Sequence, residues 1–333
     1  MAPGRGRQRG SAGAVRRDGL RRAPRLPPLP GAGGRRSGRY PIVVRGHEPV
    51  MRPPFPPPPE RSAELRRRFA EEARSERPDL STLCLLVGAE ADGKLDEAGL
   101  DAAQVELDRL AGLLPYRPGG PHAWAVALRE LLGERMGFHG TPADYQRLES
   151  SLLHEVLVRR RGLPILLSVV WLEVARRAGA PVYGVALPGH FVVGFGPEEG
   201  QVLADPFDGG RVLTGADAEV LVAGATGAGI DPSMLRPADP LDVVLRILNN
   251  VRAWAAARPE RSDVALWAVE LSLLLPSHPA RLRYERAQLL VQRGEFVAGA
   301  VELEAYAEVV SAVDEAAAER VRGEAFAARA MLN

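Results

Sequence analysis

Residues 162–179 read Gly-Leu-Pro-Ile-Leu-Leu-Ser-Val-Val-Trp-Leu-Glu-Val-Ala-Arg-Arg-Ala-Gly. A proline at position 164 suits the first turn of a helix, where its fixed φ is already helical and its missing N–H leaves no bond unmade, and Gly179 supplies the stop. Between them apolar residues fall on nearly every face, so the helix from Pro164 to Ala178 belongs in the interior. Its apolar run, Leu163 to Leu172, is too short to span a bilayer and ends at Glu173, so no membrane segment is expected.

The flanks of this helix have their own pattern. Before it, Ser151 to Arg160 reads as a short helix with Leu152, Leu153, Val156 and Leu157 inward, broken by Arg161-Gly162. After it, three short strands are expected at Val182–Leu187, His190–Phe195 and Gln201–Ala204. Pro188-Gly189 and the loop Gly196 to Gly200 turn the chain between them, as in an antiparallel meander. A buried helix whose start faces two such strands is the α+β geometry of papain-like and transglutaminase-type enzymes. There a thiolate sits at the helix start, a histidine on the first strand acts as base, and an aspartate on the second orients the ring. The residues in that order here are Pro164, His190 and Asp205.

The run Leu153-His-Glu-Val-Leu-Val-Arg-Arg-Arg-Gly-Leu-Pro-Ile-Leu-Leu-Ser168, then Leu187-Pro-Gly-His-Phe191, then Asp205-Pro-Phe-Asp-Gly-Gly210, resembles the bacterial SirB-one family. The likeness extends through Gly137-Phe138, Asp144-Tyr145 and Leu245-Arg-Ile-Leu-Asn-Asn-Val251, and covers roughly residues 65–312. A similar region occurs in a eukaryotic F-box protein. The resemblance implies a transglutaminase-like region followed by tetratricopeptide-like helices, and a regulatory role. In active transglutaminase-like proteins the nucleophile lies two residues after a glycine and about fifteen before the glycine that closes the helix. That position is Pro164, which has no nucleophilic atom.

The expected site is therefore a remnant, with His190 and Asp205 retained and the nucleophile lost. The pair can at best activate water, or it simply fastens the hairpin. Ser168, one turn further along the same helix face, is the alternative nucleophile, although a serine there more often bonds the preceding turn's carbonyl. Cys84, in Leu83-Cys84-Leu85-Leu86-Val87, reads as a buried small residue. A surviving ligand cleft would be bounded by Gly162, Ser168, Pro188, Gly189, Phe207 and Asp208, with Arg161 as a cation at its mouth; Arg159 to Arg161 otherwise read as a solvated helix end.

The remaining chain is read more coarsely. Residues 1–60 alternate Arg, Gly and Pro and carry no periodic apolar face, so a disordered tail is expected, with the possibility that translation begins at Met51. The first fifty residues hold twelve arginines against Asp18 and Glu48, a local net of +10 in a chain whose total is +1. Because Lys94 is the only lysine, this richness reflects coding bias as readily as selection for nucleic acid, which is not the expected partner. Residues 61–240 read as a helical lead-in, with helices near 62–77, 80–90, 97–114 and 122–136, plus the transglutaminase-like domain. Residues 241–333 read as a helical repeat module: helices at 241–257, 263–275, 280–293, 295–312 and 314–331, and about one imperfect tetratricopeptide unit around Gly294-Glu295-Phe296.

One cysteine excludes an intrachain disulfide and a thiolate zinc cage, which favours a reducing, cytoplasmic setting. No two of the six histidines have helical metal-ligand spacing, and Val158 stands where His154-Glu155 would need its second histidine, so neither metal nor cofactor is expected. The reading is a non-catalytic regulatory or interaction protein that meets a protein partner through its C-terminal helices and retains room for a small ligand or peptide beside His190 and Asp205. The alternatives are a hydrolase or transferase using that pair with water or Ser168, and nucleic-acid association through the basic tail.

Overall fold

A computed structural model describes residues 54–116, 119–197 and 200–331. Most of the proposed tail, residues 1–53, lies outside the described residues. Its last part departs from expectation. Residues 54–58 pack against the body: Phe55 accepts a hydrogen bond from the Gly93 N–H at 2.7 Å, Pro57 is buried beside Gly93, and α1 (Pro59–Ala73) starts on the next proline. A polyproline segment leaves its carbonyls unpaired and loses little entropy on docking, which is why a stretch of poor hydrophobic content is ordered here.

Helix starts follow local chemistry. Asp79 caps α2 (Leu80–Ala91) by accepting from the Thr82 N–H, and Asp96 caps α3 (Glu97–Ala111) by accepting from the Gly99 N–H. α4 (Pro121–Leu128) runs on as a π-helical turn, Arg129–Arg135. After a 3-10 stretch, α5 (Leu153–Arg159) ends at Arg160, the one non-glycine residue at positive φ among the described residues, and α6 (Pro164–Arg177) follows. α6 is buried from Pro164 through Ala175. Its buried Glu173 is held by the guanidinium groups of Arg176 and Arg177, which answers the cost of placing a carboxylate inside a core helix.

The sheet is a four-stranded antiparallel meander in the order β1 (Val182–Val185), β2 (Val192–Phe195), β3 (Val202–Asp205) and β4 (Arg211–Leu213). Side chains alternate between two buried faces: Val193, Phe195 and Ala204 join the core around α6, while Val192, Leu203 and Leu213 pack with Ala218 and Val222 of α7 (Gly215–Thr226). β4 and α7 go beyond the three expected strands. A three-residue strand is too short to show alternation, and α7 is rich in small residues that draw no clear apolar stripe.

α8 (Pro240–Ala256) and α9 (Ser262–Leu274) share the main core with α6, whereas α10 (Arg281–Gln292), α11 (Phe296–Ser311) and α12 (Glu315–Ala330) form a second, smaller cluster. The second cluster thus begins after α9. α10 and α11 meet closely at Gly299, where a Cβ would lie 2.5 Å from Val291 and 3.0 Å from the Ala287 carbonyl oxygen. Among the described residues no helix is long and apolar enough to cross a membrane.

Candidate functional site

The histidine is placed by a tight turn. The His190 N–H donates to the Leu187 carbonyl at 3.2 Å, and Gly189 sits at φ +71° after Pro188, the pattern of a type II turn with proline first and glycine second. His190 thus lies ahead of β2 rather than opening it. Arg246, from α8, donates to both ends of the turn, to Leu187 O at 2.7 Å and His190 O at 2.6 Å. Burial pulls the Arg246 pKa down, although a guanidinium stays charged.

Asp205 is the last residue of β3 and is buried. One carboxylate oxygen faces His190 Nε2 at 2.9 Å, and the other accepts from the Phe207 N–H at 3.0 Å. A carboxylate facing Nε2 holds the proton on that nitrogen, so a neutral ring presents Nδ1 as its acceptor. Nδ1 has no protein hydrogen-bond partner among the described residues.

Phe207 lies beside the His190 ring. Its ring stands edge-on to His190, with centroids 6.0 Å apart, and edge-on to Tyr145 at 6.1 Å. A Cβ built on Gly140 would lie 1.9 Å from the Phe207 ring and 2.9 Å from the Gly162 carbonyl oxygen, so both surround the same point. Through Phe207 the His190 ring is thus linked to the loop that enters α6, two residues before Pro164. The Tyr145 phenol is raised above its ordinary pKa, first by burial and then by the negative charge of Asp205, while Arg246 opposes the shift. Tyr145, Arg246 and Gly140 were not among the residues selected from the sequence. Tyr145 and Arg246 fall in stretches that carry the family resemblance, but no pattern at those positions distinguishes them from ordinary loop and helix residues.

Other expected site residues are placed differently. Pro164 occupies the first turn of α6 and is buried. Gly162 is buried against Val156, and Pro188 and Gly189 form the turn described above. Ser168 is fully buried and donates to the Phe191 carbonyl at 3.2 Å, across to the strand side rather than to its own helix. Its hydroxyl ties α6 to the sheet instead of facing a cleft. Arg161 is not a free cation at a mouth: it donates to the carbonyls of Gly137 and Arg160 at 2.8 and 2.9 Å. Nor are its neighbours a solvated helix end, since Arg159 lies 3.7 Å from buried Asp144 and Arg160 pairs with Glu106 at 3.0 Å. Asp208 is exposed and pairs with Arg211 at 2.7 Å. Cys84 is buried in α2, and burial pushes its thiol well above the ordinary range, with the charges of Glu173 and Asp79 adding to the effect.

Two protein families match successive parts of the chain. Residues 98–249 match the transglutaminase-like superfamily. Residues 251–333 match the tetratricopeptide repeat. The chain thus carries a transglutaminase-like α+β domain followed by tetratricopeptide-repeat helices, and the His190–Asp205 pair lies inside the transglutaminase-like domain. A UPF0162 protein of Xylella fastidiosa (strain 9a5c) is 33% identical over 174 residues, which cover 51% of this chain and 62% of that protein. A UPF0162 protein of Vibrio cholerae is 27% identical over 214 residues, covering 62% of this chain and 78% of that protein. Human F-box only protein 21 is 26% identical over 165 residues, 47% of this chain and 26% of that protein. The chain spans 62% of the length of the Xylella relatives it matches.

Proposed function

We propose that this is a non-catalytic regulatory or protein-interaction protein of the SirB-one type, bacterial and cytoplasmic. Its parts are a basic tail within residues 1–60, a lead-in with the transglutaminase-like domain over 61–240, and a repeat module over 241–333. The observation that carries the reading is Pro164. At the start of the central helix, where a transglutaminase-like enzyme needs a thiolate, the side chain has no nucleophilic atom and is buried. The remaining hydroxyl and thiol candidates do not replace it, since Ser168 is bonded inside the core and Cys84 is buried with a raised pKa. An interaction role is supported by the C-terminal helices, which leave a groove of about 420 Å³ lined by Val291, Phe296, Leu303, Ala328 and Met331.

The test is covalent labelling of the native full-length chain with a fluorophosphonate and with iodoacetamide. The expected result is no labelling of any residue in residues 98–249 at neutral pH. Labelled Ser168 would overturn the reading. A second reading, water activation by His190, is favoured by the partner-free Nδ1 of a ring already oriented by Asp205. It requires a hydrolytic activity that disappears in His190→Ala.

A further inference from the structure

A second histidine, apart from the Asp205 pairing, is packed in a different way. His154 lies in the first turn of α5, and both of its ring nitrogens are buried without a hydrogen-bond partner among the described residues. An unpaired buried imidazole is unfavourable, so the group calls for an explanation. Nε2 faces two carboxylates at equal distance, Asp92 Oδ2 and Glu155 Oε1, each 3.9 Å away. That is too long for a hydrogen bond. Ligand atoms of a tetrahedral zinc ion, each about 2.0–2.2 Å from it, lie about 3.3–3.6 Å apart, so a shared ion would draw these groups together by a few tenths of an ångström. One ligand atom from each of the three residues lies within 4.8 Å of the others.

The surroundings support this arrangement. Gly88 of α2 lies against the opposite side of the ring, where a Cβ would fall 2.5 Å from Nδ1, so Nε2 is the nitrogen left to face the carboxylates. The second oxygen of Asp92 accepts from the Lys94 N–H at 3.0 Å, which holds the carboxylate in place. Buried Glu90 and Glu173, by contrast, are met by guanidinium groups, of Arg66 and Arg176. Among the described residues neither Asp92 nor Glu155 has an arginine or lysine ion pair. The three side chains keep 18%, 11% and 23% exposure in the order Asp92, His154, Glu155, so an ion and a water can reach them.

We propose that Asp92, His154 and Glu155 bind one divalent transition-metal ion, with water completing its coordination. An imidazole with two carboxylates is a mixed donor set that favours zinc over calcium or magnesium, which prefer oxygen ligands alone. The ion clasps the end of α2 to the start of α5, next to the segment that leads into α6. No helical spacing displays this site, because its ligands come from two separate elements, which is why the missing second histidine at Val158 argued against a metal.

The competing state is a protonated imidazole between two carboxylates. The test is to strip the full-length chain with a chelator, dialyse it against zinc chloride at neutral pH, and measure retained zinc and the thermal midpoint. His154→Gln and Glu155→Gln are run beside it. The expected result is a single retained equivalent in the unsubstituted chain, a midpoint raised by zinc, and an affinity at least about a hundredfold weaker in each variant, the upper end of what loss of a mere outer-shell partner produces. Should His154→Gln fail to fold, Glu155→Gln at its partly exposed position still decides. Equal zinc retention in all three proteins, or no retention with a midpoint indifferent to zinc, overturns the proposal.

Discussion

His190 and His154 have the same side chain beside the same kind of carboxylate, yet they are built for different work. Asp205 meets His190 at 2.9 Å, with the turn behind the ring fastened by Arg246 and Phe207 edge-on to its side. Asp92 and Glu155 stand 3.9 Å from His154, and both of its nitrogens remain unpaired. About one ångström separates a hydrogen-bonded ring from a candidate ligand. The residue types alone do not distinguish the two; the distance and the number of carboxylates do.

The largest expected effect tests position 164. Pro164→Cys places a thiol at the N-terminus of α6, and on the reading that position 164 aligns with a nucleophile facing His190 its thiolate fraction at neutral pH rises. Alkylation of that cysteine should be at least about a hundredfold faster than of buried Cys84, whose thiol is pushed up. His190→Ala in the same background should slow it roughly tenfold, and His154→Ala should leave it unchanged. Equal rates for the two thiols would mean that position 164 never aligned with a nucleophile. Equal slowing by both histidine variants would erase the contrast between the sites.

Next is the fastening of the turn. Arg246→Ala leaves the Leu187 and His190 carbonyls without their charged donor and should cost about 2–3 kcal/mol in urea unfolding. It should also slow alkylation of the Pro164→Cys thiol. A loss below about 0.5 kcal/mol would show that α8 merely passes the turn without holding it.

A smaller effect separates the two sites by their glycines. Gly140→Ala drives a Cβ into the Phe207 ring and a backbone carbonyl, so about 1–3 kcal/mol should be lost. Gly88→Ala puts a Cβ 2.5 Å from the buried His154 ring but gains helix propensity worth about 1 kcal/mol, so its net loss should be smaller than that of Gly140→Ala while the zinc response falls. A larger loss at Gly88 than at Gly140 would invert the picture of a rigid site and an adaptable one.

The smallest effect is a titration. The Tyr145 phenol is raised by burial and by the Asp205 charge, so the stability it contributes is fully present below the ordinary phenol value of about 10 and is lost as pH rises through the raised one. Asp205→Asn removes the charge and should bring the phenolate transition back toward the ordinary range. Asp92→Asn should leave it where it is. An unmoved transition in Asp205→Asn would place Tyr145 outside the site.

The sequence by itself determined the elements whose signals are local. Pro164 and Gly179 bound the central helix, Pro188-Gly189 gives its turn, and the helices after residue 240 begin and end within a residue or two of their expected limits, since caps, turns and apolar periods act over a few neighbours. The assignment of position 164 to a nucleophile's place rests on the family resemblance, not on a local signal. What tertiary structure decided are meetings between distant segments. Arg246 reaches the His190 turn from α8, Ser168 bonds a strand carbonyl rather than its own helix, Arg161 is consumed by carbonyls, and Asp92 comes to His154 from α2. A guanidinium or a hydroxyl has no intrinsic partner. Its partner is whichever buried group the packing of apolar faces leaves unpaired within reach, and that choice exists only once the core has closed.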